Sequence, residues 1–580
     1  MATNVLVNAD VRAVDRAGTR ASAIAWRDGI VTAIGSRDDV LRVAGDDAIR
    51  FDAGGATVLP GFVDAHHHPC IVALYGAQLR LAPPAVTDIV SLQRALAAAA
   101  ASLPDDRWLV ATDWDEARLA ERRAPTREEL DDAVPDRPVV ALHYSCHRAV
   151  ANGRALERAG IGRSSPDPSG GHISRGRHGL PDGLLVERAI SRVESLARTS
   201  LLATDAEGFL ERLSRHHCAM AEAGITLVAD ATVPPDLATL YREAVRRRLL
   251  VVPTVMMPVS VSGWLDAPWS ALDGPKTGQE DGPLVVGPLK LAVDGAPACA
   301  MCLGWLQVAG VTLRGFAMSV RRGSLDPVRT SLSLRPRFGR EIRTGITLYR
   351  PDEIARIVRA AVDRGFAVAT HAIGNEAVAL ALSAYEKAGS ALSRVGAPRI
   401  EHAIFVDREL VARLSGVGAT VVAQPHMISL PAFASAPSIP RVRNTPLRWL
   451  LDAGVKVAGS SDFPVAGLEP LDGIRDAVAR RTTRGDVFEP DQRVDLDEAI
   501  AMYTRTAAEA CGRADRCGTL EVGKRADLVV IDRRLEPTSL PDARVRATVI
   551  SGEIVFGSPG APERVEVGSD AAQAPTERLP

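Results

Sequence analysis

Short apolar runs alternate with alanine-rich, helix-type stretches through the middle of the chain. Each run has the length of a buried strand, and a helical pattern separates one run from the next. The runs occupy residues 225–228, 249–253, 289–293, 367–371, 420–424 and 455–459. This repeated order is typical of α/β proteins and predicts a (β/α)8 TIM barrel with insertions, whose chemistry lies at the carboxyl ends of its strands.

Both ends of the chain show a different, β-type pattern. Residues 24–35 form two alternating runs around Asp28-Gly29, a dipeptide typical of tight hairpin turns. A similar pattern returns at residues 518–531 and 547–555. Because each part is too small to fold stably alone, we expect one composite β-sandwich built from both termini.

These patterns predict a division of the chain into a terminal sandwich, a central barrel and a tail. The tail is rich in Pro, Glu, Ala and Ser and is expected to be disordered. The predicted boundaries are 1–58 and 513–560 for the sandwich, 59–512 for the barrel with an insertion at about 296–350, and 561–580 for the tail.

Composition narrows the class of partner. The chain has 580 residues, of which 46% are hydrophobic and 24% charged, as in ordinary globular proteins. Its net charge of -2 gives no electrostatic case for binding nucleic acid or an anionic membrane, so a small molecule is the expected partner. No basic segment followed by an apolar run begins the chain, which predicts a cytoplasmic location. The seven cysteines are scattered and are expected to be reduced thiols, and a homodimer is the default assembly.

Three consecutive histidines end an apolar run that reads as a buried strand. Strand side chains alternate between faces, so His66 and His68 project to one side and His67 to the other. His67 is therefore expected to be replaceable. A single pair of this kind is weak evidence for a metal site. Other residues with ligand chemistry lie in or after later apolar runs: Lys290, His371, His402 and Asp462. A barrel brings such positions to one rim, and six of them make coincidence improbable.

Further motifs surround these positions along nearly the whole chain. They lie at 60–69, 108, 115–116, 135–139, 152–161, 290–295, 371–374, 401–402, 461–464 and 518–528. With these motifs the sequence resembles the amidohydrolase superfamily, and within it amidohydrolase family 3, the YtcJ-like branch that includes N-substituted formamide deformylases.

The resemblance implies a role for each strand-end residue. The implied metal ligands are His66, His68, Lys290, His371, His402 and Asp462. Lys290, after reaction with CO2 or bicarbonate, would carry a carbamate that bridges two divalent ions, with zinc as the expected metal. An unmodified lysine beside a single ion is the alternative.

The implied reaction is hydrolysis of an amide or an N-substituted formamide. A metal-bound hydroxide would attack the carbonyl, while Asp462 takes its proton and passes it to the departing nitrogen. Lys290 disfavours a deaminase with one metal and a catalytic Glu. Esterase or lactonase activity stays open, because the same hydroxide attacks either carbonyl. A non-catalytic binding protein is the remaining alternative, and intact candidates at all six positions disfavour it.

Three further histidine positions are weaker candidates or receive no function. His147 contacts the substrate or the developing oxyanion, or else only hydrogen-bonds a neighbour. His426 follows the strand at 420–424 and is a candidate for the pocket wall. His216-His217 lies on a helical pattern and receives no function. The sequence departs from the family pattern at Asn375 and at Ser145-Cys146, which leaves the substrate open.

The stretch from Arg314 to Arg350 contains nine arginines and two acidic residues. One hypothesis is a lid whose arginines, Arg335 and Arg337 among them, grip a carboxylate on the substrate. Solvated charges or a subunit interface explain the same composition.

Overall fold

A computed structural model describes residues 3–104, 107–295, 299–322, 339–430 and 438–562. In chain order its strands begin with β1 (Asn4–Val7), β2 (Asp10–Arg12), β3 (Arg20–Ala21), β4 (Ala23–Arg27), β5 (Ile30–Gly35), β6 (Ile49–Asp52), β7 (Thr57–Pro60), β8 (Phe62–His67), β9 (Leu79–Arg80), β10 (Leu109–Trp114), β11 (Val139–His143), β12 (Arg148–Ala151), β13 (Gly171–Arg175) and β14 (Pro181–Glu187).

The strands continue with β15 (Ile225–Val233), β16 (Thr254–Pro258), β17 (Glu280–Asp281), β18 (Leu284–Val286), β19 (Leu289–Ala292), β20 (Met301–Leu303), β21 (Ile342–Thr344), β22 (Val368–Ala372), β23 (Arg399–His402), β24 (Phe405–Asp407), β25 (Thr420–Ala423), β26 (Val442–Asn444), β27 (Lys456–Gly459), β28 (Leu528–Ile531), β29 (Val545–Ile550), β30 (Glu553–Gly557) and β31 (Ala561–Pro562).

The α-helices lie between these strands, and several begin at well-formed caps. They are α1 (Arg37–Ala44), α2 (Pro69–Tyr75), α3 (Ile89–Ala101), α4 (Arg127–Ala133), α5 (Gly153–Arg158), α6 (Ser191–Glu222), α7 (Pro235–Arg246), α8 (Trp305–Arg322), α9 (Pro351–Asp363), α10 (Asn375–Ala388), α11 (Arg408–Val417), α12 (Leu447–Asp452), α13 (Pro470–Ala479), α14 (Leu496–Met502) and α15 (Arg505–Ala510). At α4, for example, Thr126 and Glu129 form a reciprocal capping box.

Two sheets of parallel strands form the centre of the molecule. One has the order β17-β18-β16-β15-β8 and the other β19-β22-β23-β25-β27. All neighbouring strands pair parallel except β17, which pairs antiparallel with β18. A single apolar cluster joins them, with Val63 and Val255 from the first sheet and Ala369, Val422 and Ala458 from the second. The two sheets also meet on both sides, with β27 beside β8 and β19 beside β16. The carboxyl ends of the parallel strands therefore lie on one side of the core.

The predicted strand positions are confirmed with one exception. The run at 249–253 is not a strand; the strand begins at Thr254, after Pro253. The backbone N–H of Val252 donates instead to the imidazole of His217, so this apolar run serves as the link from α7. A run of apolar residues alone does not distinguish a buried strand from a buried linker.

A six-stranded sheet between β8 and β15 was not predicted. It has the order β13-β14-β12-β11-β10-β9 and occupies residues 79–187. Its strands β11, β12 and β14 pair antiparallel. The sheet carries His147 directly before β12, so this segment contributes to the site below. The predicted insertion at 296–350 contains β20, α8 and β21 in its described part.

The two ends of the chain meet in two further sheets. One, with the order β3-β2-β7-β28-β29-β30, pairs β7 antiparallel with β28, so that Val58 lies opposite Val530. The other has the order β31-β6-β1-β4-β5, and Leu6 and Trp26 from it share an apolar cluster with Val58 and Leu528.

The predicted hairpin is present between β4 and β5. These strands pair antiparallel, and the turn residues Asp28 and Gly29 have φ angles of 52° and 80°. Of the predicted tail, residues 561–562 form β31 and residues 563–580 lie outside the described residues. No helix in the described part of the chain is long and apolar enough to cross a membrane.

Candidate metal centre

The six residues predicted to bind metal line one cavity of about 310 Å³. His66 belongs to β8, His68 follows it, Lys290 belongs to β19, His371 to β22, His402 ends β23, and Asp462 follows β27. The local sequence explains one detail of this placement. Pro69 begins α2 directly after His68, so the strand must end at the histidines.

The donor atoms of these residues approach one another closely. Asp462 Oδ1 lies 3.0 Å from His68 Nε2 and 3.4 Å from His66 Nε2. Lys290 Nζ lies 3.4 Å from the same His66 nitrogen. The ring centroids of His66 and His402 are 4.8 Å apart. Side chains from four separate strands thus share one small volume.

Three of the histidines are held from behind through Nδ1. The partner atoms are Glu401 Oε2 for His66, Thr232 Oγ1 at 2.8 Å for His68, and Gln424 Oε1 at 2.8 Å for His402. These bonds fix each ring through Nδ1, so Nε2 is the nitrogen that would serve as a ligand. Glu401 is itself held by Arg399 through two bonds of 2.9 and 3.0 Å. Sequence reasoning quoted Glu401 only as part of a motif and missed its role behind His66.

His371 presents a different arrangement. Its ring centroid is 4.5 Å from that of His402, yet its buried Nε2 has no hydrogen-bond partner among the described residues. The nearest acidic atom, Asp294 Oδ1, is 3.8 Å away. The Asp294 carboxylate accepts instead from the backbone N–H groups of Ala300, Ile373 and Gly374. Burial raises the pKa of Asp294 to about 7.

Burial also adjusts the charge of the candidate ligands. It lowers the pKa of His66, His371 and His402 below the usual value for histidine, so all three imidazoles are neutral at pH 7. Burial likewise lowers the pKa of Lys290 to about 8. Neutral imidazoles with free nitrogens beside an oxygen ligand fit a divalent metal ion.

Asp462 is held in its charged form and in a strained conformation. Burial acts to raise its pKa, but the hydrogen bond from His68 and the neighbouring imidazoles of His66 and His402 together outweigh burial, so the pKa lies well below the usual value. Asp462 and His402 have φ angles of 55° and 76°, in the left-handed region that favours glycine. Such strain costs on the order of 1–3 kcal/mol and is concentrated at functional sites.

His67 points away from the centre, as predicted, but the expectation that it is replaceable does not agree with its surroundings. The side chain is fully buried and bonds to Asp64 Oδ2 and Ser461 Oγ, each at 2.9 Å, and to His216 Nε2 at 2.7 Å. His216 and His217 are buried as well. The far face of β8 packs under α6, so a polar residue there needs partners.

We expect His67→Ala to lower the free energy of unfolding by about 2–4 kcal/mol, because it leaves a cavity and buried polar groups without partners. Chemical denaturation of both proteins in the same metal state measures the difference. His178→Ala, at an exposed turn, is the matched control. A change within about 0.5 kcal/mol would show that His67 is replaceable after all.

The other two candidate histidines have different outcomes. His147 lines the cavity, and its Nδ1 donates to Glu187 Oε2 at 2.8 Å. His426 is not among the lining residues; its ring is held by Asp476 at 2.7 Å, outside the cavity. The prediction for His426 was therefore wrong, because a position after a strand does not determine the direction of the side chain.

The rest of the cavity wall is largely apolar. It includes Leu142, Ile190, Trp264, Leu265, Met427 and Leu430. Within the part of the chain that the structure describes, no arginine lines the cavity. Arg314 bonds to Ser438, and Arg343 pairs with Glu376. The arginines named for the lid hypothesis, 335 and 337, lie outside the described residues.

Comparison with known proteins identifies the family. The profile of the amidohydrolase family matches residues 50–556. The chain belongs to the amidohydrolase family. N-substituted formamide deformylase of Arthrobacter pascens is 29% identical over 535 residues, covering 91% of this chain and 93% of its own. Putative amidohydrolase YtcJ of Bacillus subtilis strain 168 is 27% identical over 562 residues, covering 93% and 96%.

Two solved structures resemble this amidohydrolase over most of its length. Metal-dependent hydrolases from Pyrococcus horikoshii OT3 and Pyrococcus furiosus align with TM-scores of 0.66 and 0.63 at 21% and 22% identity. Each alignment covers 92% of this chain, and 98% and 99% of the respective neighbour. They show a TIM-barrel-like α/β fold. The family and its named members make the chain a hydrolase acting on carbon–nitrogen bonds.

Proposed function

We propose that this amidohydrolase cleaves neutral amides or N-substituted formamides that carry an apolar substituent. Six residues would hold two divalent ions, with zinc as the proposed metal: His66, His68, Lys290, His371, His402 and Asp462. The observation that carries the proposal is the convergence of these side chains on one cavity, with Nδ1 of three histidines already occupied from behind. Ions at this position would polarise the scissile carbonyl and lower the pKa of bound water.

Lys290 is proposed to bridge the ions as a carbamate. The neutral amine attacks CO2, a bond forms between Nζ and the carbon, and Nζ loses a proton. With a pKa of about 8, roughly one lysine in ten is neutral at pH 7, against fewer than one in a thousand for an ordinary lysine. The buried position of Lys290 therefore supports the modification, and an unmodified Lys290 beside one ion is the alternative.

Asp462 is proposed to move the proton. Its carboxylate is ionised and lies within 3.4 Å of both His66 and His68, so it can accept a proton from the attacking water. The same oxygen then returns the proton to the departing nitrogen, which leaves as an amine. No serine or cysteine nucleophile is required.

The cavity wall supports a neutral substrate. Besides Lys290 and Asp462, only Glu194 adds an Asp, Glu, Lys or Arg side chain among the described lining residues. Glu194 is already bonded to Tyr75 and Arg198, at 2.9 and 2.8 Å. An apolar substituent fits this wall, whereas a carboxylate on the substituent finds no lysine or arginine among the described lining residues other than Lys290.

A panel of matched substrates tests the proposal. We expect the metal-loaded enzyme to release amine from an N-aryl or N-alkyl formamide with kcat/KM at least about 10-fold above that for the same formamide bearing a carboxylate on the substituent. Matched N-acyl amines, cyclic amides, esters, lactones and exocyclic amines test the other activities. Preference for the anionic formamide, or for ester cleavage or deamination over any amide, would contradict the proposal.

We also propose that the two parallel sheets close into one (β/α)8 barrel. Strands β18 and β19 are successive and separated only by Gly287-Pro288, so they make one interrupted strand. Counted in this way, the two sheets together contain eight parallel strands. Proline cannot donate to a ladder, which explains the interruption. The shared apolar cluster of the terminal sheets supports a composite sandwich from 1–58 and 513–560, with the barrel between them.

A further inference from the structure

We propose that Glu187 is a positioning residue that fixes His147 in one tautomer, so that His147 Nε2 accepts a hydrogen bond from the N–H group of the substrate. The pair would make the enzyme prefer secondary amides, which carry this N–H, over N,N-disubstituted ones. The inference rests on the proposed amide hydrolysis and adds a specificity element that lies outside the metal ligands.

Glu187 and His147 are joined at both the backbone and the side chain. His147 directly precedes β12, and Glu187 is the last residue of β14. These strands pair antiparallel, with Arg148 opposite Val186, so His147 and Glu187 lie next to each other at the end of the pair. The N–H of Glu187 donates to the carbonyl oxygen of His147 at 3.0 Å. His147 Nδ1 in turn donates to Glu187 Oε2 at 2.8 Å. Both side chains are almost completely buried, so water does not compete for this bond.

The backbone at Glu187 is held in an unusual conformation. Its φ and ψ angles are 53° and -129°, a region that residues with a side chain rarely adopt. This conformation ends β14 and turns the carboxylate toward His147. A strained residue that persists in the fold must be held by its surroundings, and here the bonds to His147 hold it.

Gly295 lies against the second oxygen of the Glu187 carboxylate. A Cβ atom at position 295 would lie 1.7 Å from Glu187 Oε1, so only glycine leaves room for Glu187. Oε1 is buried and has no hydrogen-bond partner among the described residues. One oxygen of Glu187 is thus bound to His147 and the other is confined against Gly295, which leaves the carboxylate little freedom to turn away. The need for space beside Glu187 explains the glycine of the Asp294-Gly295 motif.

The position of His147 determines what its second nitrogen can contact. The ring lines the cavity, with its centroid 4.7 Å from that of Trp264 and 5.3 Å from that of His371. Because Nδ1 carries the hydrogen donated to Glu187, Nε2 of the neutral ring is an acceptor. The cavity occupant must then present a donor to it, and a secondary amide does so through its nitrogen.

Nitrogen-15 NMR of the zinc-loaded enzyme tests the positioning directly. With histidine labelled on both ring nitrogens and His147→Gln used for assignment, we expect the Nδ1–H tautomer of His147 in the wild type. In Glu187→Ala the population should shift toward Nε2–H. Asp182→Asn, elsewhere on β14, is the matched control and should leave the spectrum of His147 unchanged. The same tautomer in wild type and Glu187→Ala, or a doubly protonated ring in the wild type, would overturn the proposal.

Kinetics of a double-mutant cycle test the consequence for the substrate. On a secondary formamide we expect His147→Ala to lower kcat/KM about 10- to 100-fold, Glu187→Ala to lower it by a similar factor, and the double variant to be no worse than His147→Ala. On the N-methylated formamide the losses should be smaller than about 3-fold. Zinc content should equal that of the wild type in all variants.

Two results would contradict this consequence. If the losses multiply in the double variant, Glu187 acts independently of His147. If the secondary and the N-methylated formamide lose activity equally, His147 does not recognise the N–H group. The NMR measurement needs no turnover, so failure of the proposed amide hydrolysis is distinguishable from failure of the positioning.

Discussion

We expect the Asp462→Asn variant to turn over substrate about 10³-fold more slowly than the wild type while keeping most of its metal. Asparagine has the size of aspartate and retains one oxygen near His66 and His68, but it cannot accept the proton of the attacking water. The proton that the leaving nitrogen needs is then missing as well. Steady-state kcat on the best substrate of the panel, together with metal content by mass spectrometry, measures both parts of the prediction.

A matched control separates this effect from the loss of a buried negative charge. Asp476 is also buried, but it bonds to His426 and Ser429 outside the cavity. Asp476→Asn should keep kcat within about 3-fold of the wild type once the protein is folded. If Asp462→Asn retains more than about a tenth of the wild-type kcat with metal bound, another group moves the proton and the assignment of Asp462 fails.

Lys290→Ala is expected to lower kcat by at least about 10²-fold and to reduce the metal content to one ion or fewer per chain. The variant removes both oxygens of the proposed bridge and leaves a space at the end of β19. A short carboxylate such as propionate should enter this space and restore part of the activity when metal is supplied. Activity and metal content, each measured with and without propionate, provide the test.

Lys276→Ala is the control for this substitution, because Lys276 donates to the carbonyl of Leu272 and does not line the cavity. Carbon-13 NMR of the wild type after exposure to labelled bicarbonate should show one protein-bound carbamate carbon. An absent carbamate signal, together with full activity of Lys290→Ala, would leave the unmodified lysine beside one ion as the better account.

Sequence patterns located the parallel strands and the candidate ligands at their ends because both depend on short-range regularities. Strand alternation alone places His66 and His68 on one side and His67 on the other. His371 ends the apolar run at 367–371, so the same reasoning places it at a strand end. The wrong strand at 249–253 shows the limit of this reasoning, since hydrophobicity does not specify hydrogen-bond pairing.

Contacts across long sequence separations could not be predicted in the same way. Glu187 reaches His147 only because β12 and β14 pair antiparallel in the sheet at residues 79–187, which no sequence periodicity predicted. The spacing of Arg399 and Glu401, two residues apart on one strand, can be read from the sequence. The contact of Glu401 with His66 cannot, because it depends on how β23 and β8 face each other. The partners of His67 likewise come from α6 and from the loop after β27.

The family and the cavity together argue against one alternative function and leave another to experiment. An amidohydrolase with six convergent candidate ligands retains what catalysis requires, which argues against a purely binding role. Ester cleavage uses the same carbonyl chemistry, so only the substrate panel separates it from amide cleavage. The apolar wall around Trp264 directs that panel toward neutral substituents.

The metal content of the purified wild-type chain tests the central claim most directly. The protein is produced with zinc and bicarbonate, exchanged into metal-free buffer without chelator, and analysed by mass spectrometry against protein concentration. We predict about two divalent ions per chain, bound to the side chains around Asp462. One ion per chain would contradict the bridged centre, and none after supplementation would contradict the metal site altogether.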